Sequence, residues 1–292
     1  MKKSALIFAL IIGLLASAST LQAQVNMSRY ITLTVKNRAA IKLNFMAAAN
    51  GTPVRIVSGS NTEDITVYTS WGSTPSYTAD GTTMTVYGDI TIFDCRGNGA
   101  NLTALDPSHN TQLKWLWCSD NNLTNLNVSK NTQLNELRCS DNNLTSLDVS
   151  KNTQLTQLWS SSNPLTTIDV SKNIQLNELR CDSNQLTILD VSKNTQLEVL
   201  VCDSNSLTSL DVSKNTQLTE LYCWGNNFTT AALDAIYCAL PARISLDGPR
   251  IFPLHESSSA AEQNMVASTN AANATAKNWQ VLKYKEDWNF TD

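Results

Sequence analysis

The sequence is poor in charge and in histidine. Charged residues make up 16% of the 292 positions, and the only histidines are His109 and His255. A net charge of −4 argues against nucleic acid or an acidic membrane as a partner. The sequence also lacks a nucleophile elbow, a phosphate-binding loop and paired C-x-x-C metal ligands. It therefore predicts a protein that is not an enzyme, with no catalytic residues, no metal site and no cofactor.

Long apolar runs are confined to the N-terminus. Lys2 and Lys3 precede an apolar segment over residues 5–16, and small residues then lead to a cleavage point at Ala23. This order is typical of a signal peptide over residues 1–23, and its apolar part is too short to span a bilayer. Since no cysteine lies near the cleavage point, we expect no lipid anchor. The sequence predicts a secreted, periplasmic or cell-surface protein without a transmembrane segment.

A 21-residue repeat fills the middle of the sequence. Its copies begin at Leu113, Leu134, Leu155, Leu176, Leu197 and Leu218. They share the frame L-x-x-L-x-C-x-x-N-x-L-x-x-L-x-V-S-K-N-T-Q, and such a period is typical of leucine-rich-repeat solenoids. Over residues 90–228 the chain resembles the bacterial leucine-rich-repeat proteins, in the broad internalin-like class. The resemblance implies the fold but identifies no ligand, because function depends on the side chains at the site.

Each repeat predicts one short strand followed by a turn. Leu134, Leu137 and Cys139 face inward, while Glu136 and Arg138 face outward. Stacked repeats form a parallel β-sheet on the concave side, and V-S-K-N-T-Q forms a tight turn or 3-10 piece on the convex side. Where the chain turns inward, a ladder of asparagines is expected to satisfy buried backbone groups. The ladder consists of Asn121, Asn142, Asn163, Asn184, Asn205 and Asn226.

The repeats divide the mature chain into three parts. Residues 24–88 predict a small all-β N-terminal module, with β-branched segments at 30–35, 41–46, 54–57, 65–69 and 84–87. Residues 89–228 predict a solenoid of seven repeats, the first with Ile90, Phe93 and Cys95 in strand positions. The module is expected to cap the first repeat, and a ligand site of its own is the alternative.

Residues 229–292 predict a C-terminal α/β cap. The expected elements are a helix after Thr229 or Thr230 that ends before Pro241, a strand at 244–246, a helix from a capping box at Ser259 to about residue 277, and a strand at 279–282. The predicted fold class is therefore an α/β-type leucine-rich-repeat solenoid with an N-terminal all-β cap and a C-terminal helical cap.

Six of the seven cysteines share one inward column. They are Cys95, Cys118, Cys139, Cys181, Cys202 and Cys223, with Ser160 at the missing position and Cys238 in the tail. Neighbouring Cβ atoms in this column would lie about 4.8 Å apart and parallel, whereas a disulfide needs about 3.8 Å. The sequence predicts buried, reduced thiols. A metal ladder is the alternative, but paired ligands and clustered histidines are missing.

The residues at the outward strand positions vary between repeats, whereas the convex V-S-K-N-T-Q segment is nearly constant. One outward column reads Trp117, Arg138, Trp159, Arg180, Val201 and Tyr222, and its neighbour reads Trp115, Glu136, Gln157, Glu178, Val199 and Glu220. Arginine can stack between indoles, and a glutamate two residues away can pair with it. We expect a large exposed aromatic patch and a ligand site at Trp115, Trp117, Glu136, Arg138, Trp159, Glu178, Arg180, Tyr222 and Trp224.

The leading functional hypothesis is a monomeric, non-enzymatic protein that recognises a protein partner through the concave strand face. The second hypothesis is glycan binding on the same face, by aromatic rings that stack on sugars. The third is a structural surface protein without a dedicated ligand.

Overall fold

The computed structural model describes residues 24–243, 248–255 and 258–284. Within these residues the chain forms a small β module, a stack of parallel strands and a tail of short helices and strands. The predicted signal peptide and the predicted strand at 244–246 lie outside the described residues. No helix in the described part of the chain combines the length and the apolar character needed to cross a membrane.

The N-terminal module is built from short strands. They are β1 (Tyr30–Val35), β2 (Ala40–Lys42), β3 (Asn44–Ala47), β4 (Thr52–Ser58), β5 (Asn61–Val67), β6 (Ser76–Thr78) and β7 (Thr83–Tyr87). An antiparallel sheet has the order β5-β4-β7-β1, and β2 pairs separately with β6. The alternating residues Ile31, Leu33 and Val35 of β1 are buried, as half-buried strands require.

The prediction of one strand over residues 41–46 is wrong. The chain changes sheets at Leu43, because β2 pairs with β6 whereas β3 continues toward the solenoid. The predicted strand at 65–69 begins earlier, at Asn61, since β4 and β5 form a hairpin whose turn contains Gly59 with φ 57°. The three-residue strand β6 was not predicted, because so short a segment carries no clear alternation.

The solenoid strands follow the repeat. They are β8 (Ile90–Asp94), β10 (Trp115–Trp117), β11 (Glu136–Arg138), β12 (Gln157–Trp159), β13 (Glu178–Arg180), β14 (Val199–Val201) and β15 (Glu220–Tyr222). Neighbouring strands are parallel, and Leu116, Leu137 and Leu158 are in register. Phe93 pairs with Leu116, which confirms that the first repeat begins within the transition. The strand leucines are fully buried, because each repeat covers its neighbour's core face.

The turn after each strand uses a left-handed residue. The residue before each of the six ladder asparagines has positive φ, and so does Gly97, which precedes the equivalent Asn98 of the first repeat. The six residues are Asp120, Asp141, Ser162, Ser183, Ser204 and Gly225. This conformation costs little for glycine and more for other residues, although aspartate tolerates it better than most. On the convex side the V-S-K-N-T-Q segment consists of turns, as predicted.

The N-terminal module covers the first repeat from two sides. On the concave side β3 pairs antiparallel with β8, which places Phe45 opposite Phe93. On the other side the second half of the first repeat forms β9 (Leu102–Asp106), which pairs with β1 and places Leu105 opposite Leu33. The strand β9 was not predicted, because this half-repeat is a turn in the later copies. The predicted N-terminal all-β cap is confirmed.

The tail closes the other end of the stack. It contains α1 (Thr230–Ala239), β16 (Arg250–His255), α2 (Ala260–Ala267), α3 (Ala272–Thr275) and β17 (Gln280–Tyr284). Thr229 caps α1, which ends before Pro241 as predicted. Its buried residues are Leu233, Ile236 and Tyr237. The strands β16 and β17 extend the parallel sheet beyond β15. The strand β16 was not predicted.

The prediction of one helix from residue 259 to about 277 is wrong. Ser259 caps α2, but the helix ends at Ala267, where Ser268 and Thr269 donate side-chain hydrogen bonds to the carbonyls of Met265 and Val266. Such local bonds compete with the continuing helix. The capping box is also incomplete, because Glu262 accepts a hydrogen bond from the backbone N of Gly225, in the last repeat.

Candidate binding face on the concave sheet

The strand register brings the predicted outward residues into columns. Trp117, Arg138 and Trp159 are paired across three neighbouring strands. Arg180, Val201 and Tyr222 continue the column on the next three. The columns therefore form as expected, because side chains at equivalent positions of parallel in-register strands are neighbours.

Tryptophan and arginine alternate in a continuous stack, which we call the Trp–Arg ladder (Arg96, Trp117, Arg138, Trp159 and Arg180). The guanidinium carbon of Arg138 lies 4.8 Å from the ring centroid of Trp117 and 3.6 Å from that of Trp159. The guanidinium carbon of Arg180 lies 4.5 Å from the ring centroid of Trp159, and that of Arg96 lies 4.5 Å from the ring centroid of Trp117. These distances are within the range of cation–π attraction.

Glutamates of the neighbouring column hold the arginines in place. Glu136 Oε1 accepts hydrogen bonds from Arg138 Nε at 2.5 Å and from Trp117 Nε1 at 2.8 Å. Glu178 Oε1 accepts from Arg180 Nε at 2.6 Å. Both ion pairs are largely shielded from solvent, so they are screened less than exposed pairs. The ladder is consequently a rigid surface whose side chains are already ordered before any ligand arrives.

The ladder is half-buried, and the prediction of a large exposed aromatic patch is wrong. Trp117 and Trp159 are intermediate in exposure, and Glu136 is buried. Each of the two indoles lies between guanidinium groups, so both ring faces are covered. The reason is the strand spacing of about 4.8 Å, which leaves room for one flat group per repeat.

A tryptophan from the N-terminal module extends the ladder. Trp71 stacks on Trp117 with ring centroids 5.0 Å apart and an interplanar angle of 24°. Trp115 stacks on the same indole at 5.7 Å. Sequence reasoning missed Trp71, because it lies outside the repeats and no periodicity relates it to Trp117.

The C-terminal end of the face is covered by the tail. Tyr222 is only 4% exposed, because its ring stacks on Phe252 of β16 at 4.4 Å. Burial raises the pKa of this phenol, whose hydroxyl donates to Glu220. Trp224 stacks on Tyr284 of β17 at 6.0 Å and lies 4.5 Å from the ring of His255. Tyr222 therefore offers little surface to a ligand, whereas Trp224 remains partly exposed.

A third outward column contains two carboxylates, of which Asp203 is buried and Asp182 is half-buried. Its members are Ser119, Ser140, Ser161, Asp182, Asp203 and Trp224. Asp203 is 5% exposed, and burial raises its pKa to about 8, with a further contribution from the neighbouring charge of Asp182. Burial also raises the pKa of Asp182, although Ser161 donates a hydrogen bond to it. The two acids differ from exposed carboxylates because their charged forms are poorly hydrated.

The asparagine ladder joins each repeat to the one before it. Asn142 Nδ2 donates to the carbonyls of Cys118 at 2.9 Å and Cys139 at 3.1 Å, and its Oδ1 accepts from the backbone N of Leu123. The same bonds recur at Asn163, Asn184 and Asn205. The structural role predicted for this column is thus present in the hydrogen bonds.

The cysteine column is buried and free of disulfides. Cys95, Cys118, Cys139, Cys181, Cys202 and Cys223 are free thiols inside the core, and Cys238 is exposed on α1. Burial raises the pKa of every thiol in the column. Protonated, buried thiols act as small apolar groups. Among the described residues, no group of three or more His, Cys, Asp or Glu side chains is placed to hold a metal ion.

Solved structures of repeat proteins resemble this chain. The functional domain of InlJ from Listeria monocytogenes, described as including a cysteine ladder, is 39% identical over 48% of this chain and 34% of its own, with a TM-score of 0.44. A leucine-rich-repeat protein from Leptospira interrogans is 23% identical over 46% of this chain and 36% of its own, with a TM-score of 0.44. Internalin C2 from Listeria monocytogenes is 19% identical over 67% of this chain and 81% of its own, with a TM-score of 0.49.

No protein-family model and no curated protein sequence matches the chain. The fold is decided by the register of the strands at 21-residue intervals, with leucines inward and an asparagine at every turn. The chain has the leucine-rich-repeat fold. The match to this chain covers 34% of the length of the InlJ domain, which is about a third.

A second asparagine ladder in this leucine-rich-repeat protein escaped sequence reasoning. Asn152 of the S-K-N-T-Q segment is fully buried, and its Nδ2 donates to the carbonyls of Val128 at 2.9 Å and Asn131 at 2.8 Å. The equivalent bonds recur at Asn131, Asn173, Asn194 and Asn215. The sequence could have revealed this ladder, because the asparagine recurs in the convex V-S-K-N-T-Q segment of every complete repeat.

Proposed function

We propose that this leucine-rich-repeat protein is a non-enzymatic binding protein that recognises a protein partner through its concave face. The observation that carries the proposal is the Trp–Arg ladder. Its guanidinium groups, indole edges and carboxylates are held in fixed positions by stacking and by the ion pairs of Glu136 and Glu178. Tryptophan and arginine dominate binding energy in protein interfaces, and an ordered surface loses little side-chain entropy on binding.

The covered ring faces weigh against a glycan on the same ladder. A sugar ring stacks on a free aromatic face, but Trp159 has a guanidinium group on each side. The indole edges and the guanidinium groups are what the ladder offers at its surface. Such mixed aromatic and charged edges suit hydrogen bonds and ion pairs with a protein surface.

We also propose export as the route to the partner. Residues 1–23 have the order of a cleavable signal peptide. A cell-surface or secreted location would expose the concave face to partners outside the cytoplasm. Mass spectrometry of the mature N-terminus tests this proposal, which predicts cleavage after Ala23.

A double substitution tests the binding face. We expect Trp117→Ala combined with Trp159→Ala to weaken partner binding by at least about tenfold, because it removes both aromatic layers between the arginines. The partner is first captured from surface-protein extracts with the wild-type protein, then purified and titrated by calorimetry. A glycan array with the same preparation tests the second candidate function.

A matched control lies on the convex side. Lys151→Ala combined with Lys172→Ala changes two exposed residues of the turns and should leave the affinity unchanged. Circular dichroism checks that each variant is folded. Unchanged affinity in the folded tryptophan variant would place the binding site elsewhere.

A further inference from the structure

The N-terminal module has a groove beside the concave face, and the five residues of the Trp–Arg ladder do not line this groove. The loop over residues 68–75 is tied at both ends to residues 43–47, which include β3. Ala47 N donates to the carbonyl of Tyr68 at 3.0 Å, and Leu43 N donates to the carbonyl of Pro75 at 3.2 Å. Asn44 Nδ2 adds a bond to Thr74 Oγ1 at 3.2 Å. Side chains of the loop and of β3 line a cavity of about 320 Å³.

Two exposed aromatic residues line this groove. Tyr68 is 54% exposed and Trp71 is 39% exposed, whereas the ladder tryptophans are more deeply covered. Trp71 is held in place by stacking on Trp117, at 5.0 Å. The buried ring of Phe45 also lines the groove, 5.6 Å from Phe93 of the core. The aromatic walls of the groove are therefore ordered on one side and open on the other.

The polar groups of the groove are neutral. Its hydrogen-bonding side chains belong to serine, threonine, asparagine and tyrosine, including Thr66, Ser70 and Ser73. Among the residues that the structure describes, no charged side chain lines the groove. A charged ligand would lose its hydration there without gaining a counterion. A saccharide fits this combination, because the C–H face of a sugar ring packs on aromatic rings and its hydroxyls exchange hydrogen bonds with neutral groups. The cavity lies at the small end of ligand pockets, which suits one or two sugar units.

We propose that this groove binds a neutral saccharide, with sugar rings packed on Trp71 and Tyr68. The site is separate from the concave-face binding proposed above. An exposed phenol and an exposed indole supply the aromatic surface that the ladder lacks. The polar rim of Thr66, Ser70 and Ser73 supplies hydrogen bonds for the sugar hydroxyls. An uncharged apolar peptide is the competing occupant, and it would leave most of these hydroxyl groups unpaired.

An array of defined sugars tests the proposal with the full-length mature protein. The probes are methyl hexopyranosides, methyl N-acetylhexosaminides and their linear disaccharides and trisaccharides, and uncharged apolar tripeptide amides are printed beside them. The sugar retained best is titrated by tryptophan fluorescence to concentrations of about 10 mM. We expect Tyr68→Ala and Trp71→Ala each to weaken its binding by at least about tenfold.

Two control variants separate this site from the others. Met27→Ala changes an exposed apolar residue of the same module outside the groove, and Trp159→Ala changes the ladder away from Trp71. Both should bind the sugar as the wild type does. Because Trp71→Ala also removes a stacking partner of Trp117, Tyr68→Ala is the decisive variant if the first one is unstable. Retention of no sugar, equal affinity in Tyr68→Ala, or retention of the peptides alone would overturn the proposal.

Discussion

At the scale of single residues, the concave face contains an unusual pair of acids. Asp182 and Asp203 occupy positions that are serine in the three preceding repeats. Asp203 accepts a hydrogen bond from Ser204 at 3.3 Å. Burial raises the pKa of both acids, and the positive charge of Arg180 opposes this rise at Asp182. Because neighbouring carboxylates in a buried place cannot both ionise easily, the folded protein keeps a proton here near neutral pH.

The free energy of unfolding should depend on pH through Asp203. Its pKa is about 8 when folded and about 3.8 in the unfolded chain, so the folded state holds more protons between these values. Its contribution to stability is complete below pH 4 and is lost as the pH rises through 8. One pKa unit corresponds to about 1.4 kcal/mol. Between pH 5 and pH 8 we therefore expect the free energy of unfolding of the wild type to fall by more than about 1 kcal/mol relative to that of Asp203→Asn.

Urea unfolding at several pH values measures this difference. Asp148→Asn is the matched control, because Asp148 is exposed and hydrogen bonds from Ser150 lower its pKa. A lowered pKa contributes stability that is lost only as the pH falls through that low value, so the control should not differ from the wild type between pH 5 and pH 8. Parallel pH profiles of Asp203→Asn and the wild type would show that Asp203 is ionised in the folded protein.

At the scale of elements, two asparagine ladders join the repeats. One satisfies carbonyls at the end of each strand, and the other satisfies carbonyls in the convex turns, where Asn131 reaches back to Asn110 and Pro107. Turns without regular structure leave many backbone groups unpaired, and buried unpaired groups are costly. The repeat therefore needs no convex helix, because one buried amide per turn supplies the missing donors.

The convex ladder provides a prediction with an internal control. Asn152→Ala removes the two hydrogen bonds that Asn152 Nδ2 donates to the carbonyls of Val128 and Asn131. Each carbonyl then keeps only its backbone donor, Asn131 N or Leu134 N, so we expect the free energy of unfolding to fall by about 1–3 kcal/mol. Asn110 is the first member of the ladder, and its side-chain nitrogen has no hydrogen-bond partner among the described residues. Asn110→Ala should cost less than about 1 kcal/mol. Urea unfolding compares the two, and equal losses would mean that the ladder bonds do not contribute.

At the scale of the whole molecule, the sheet of the solenoid continues into both ends of the chain. The strand β3 covers the concave sheet at β8, and β16 and β17 extend it beyond the last repeat. The module also contributes β1, which pairs with β9. Stacked repeats need such covers, because a terminal repeat otherwise exposes its apolar face.

Removal of the N-terminal module should destabilise the repeats. Deleting residues 24–88 removes the strands that cover Phe93 and Leu105, which are buried in the intact protein. We expect a lower unfolding temperature and increased binding of an apolar dye such as ANS. Deleting only residues 24–26, which precede the first strand, is the matched control. A deletion variant with the wild-type unfolding temperature would favour the alternative that the module is an independent ligand-binding unit.

The sequence by itself determined the repeating part of this protein. A constant period places each residue beside its equivalent one repeat away, so the inward leucines, the first asparagine ladder, the column of reduced cysteines and the alternation of Trp117, Arg138 and Trp159 could all be predicted. The ligand site assigned to that ladder remains a prediction.

Only the tertiary structure decided the contacts between the repeats and the rest of the chain. It placed Trp71 on Trp117 and Phe252 on Tyr222, and it buried Asp203 beside Asp182. The physical reason is that contacts within the solenoid recur at a fixed separation along the chain, whereas the end modules meet it at separations that follow no period. Half-burial of the ladder and the raised pKa of Asp203 depend on packing from several strands together, which a pattern of residue types does not specify.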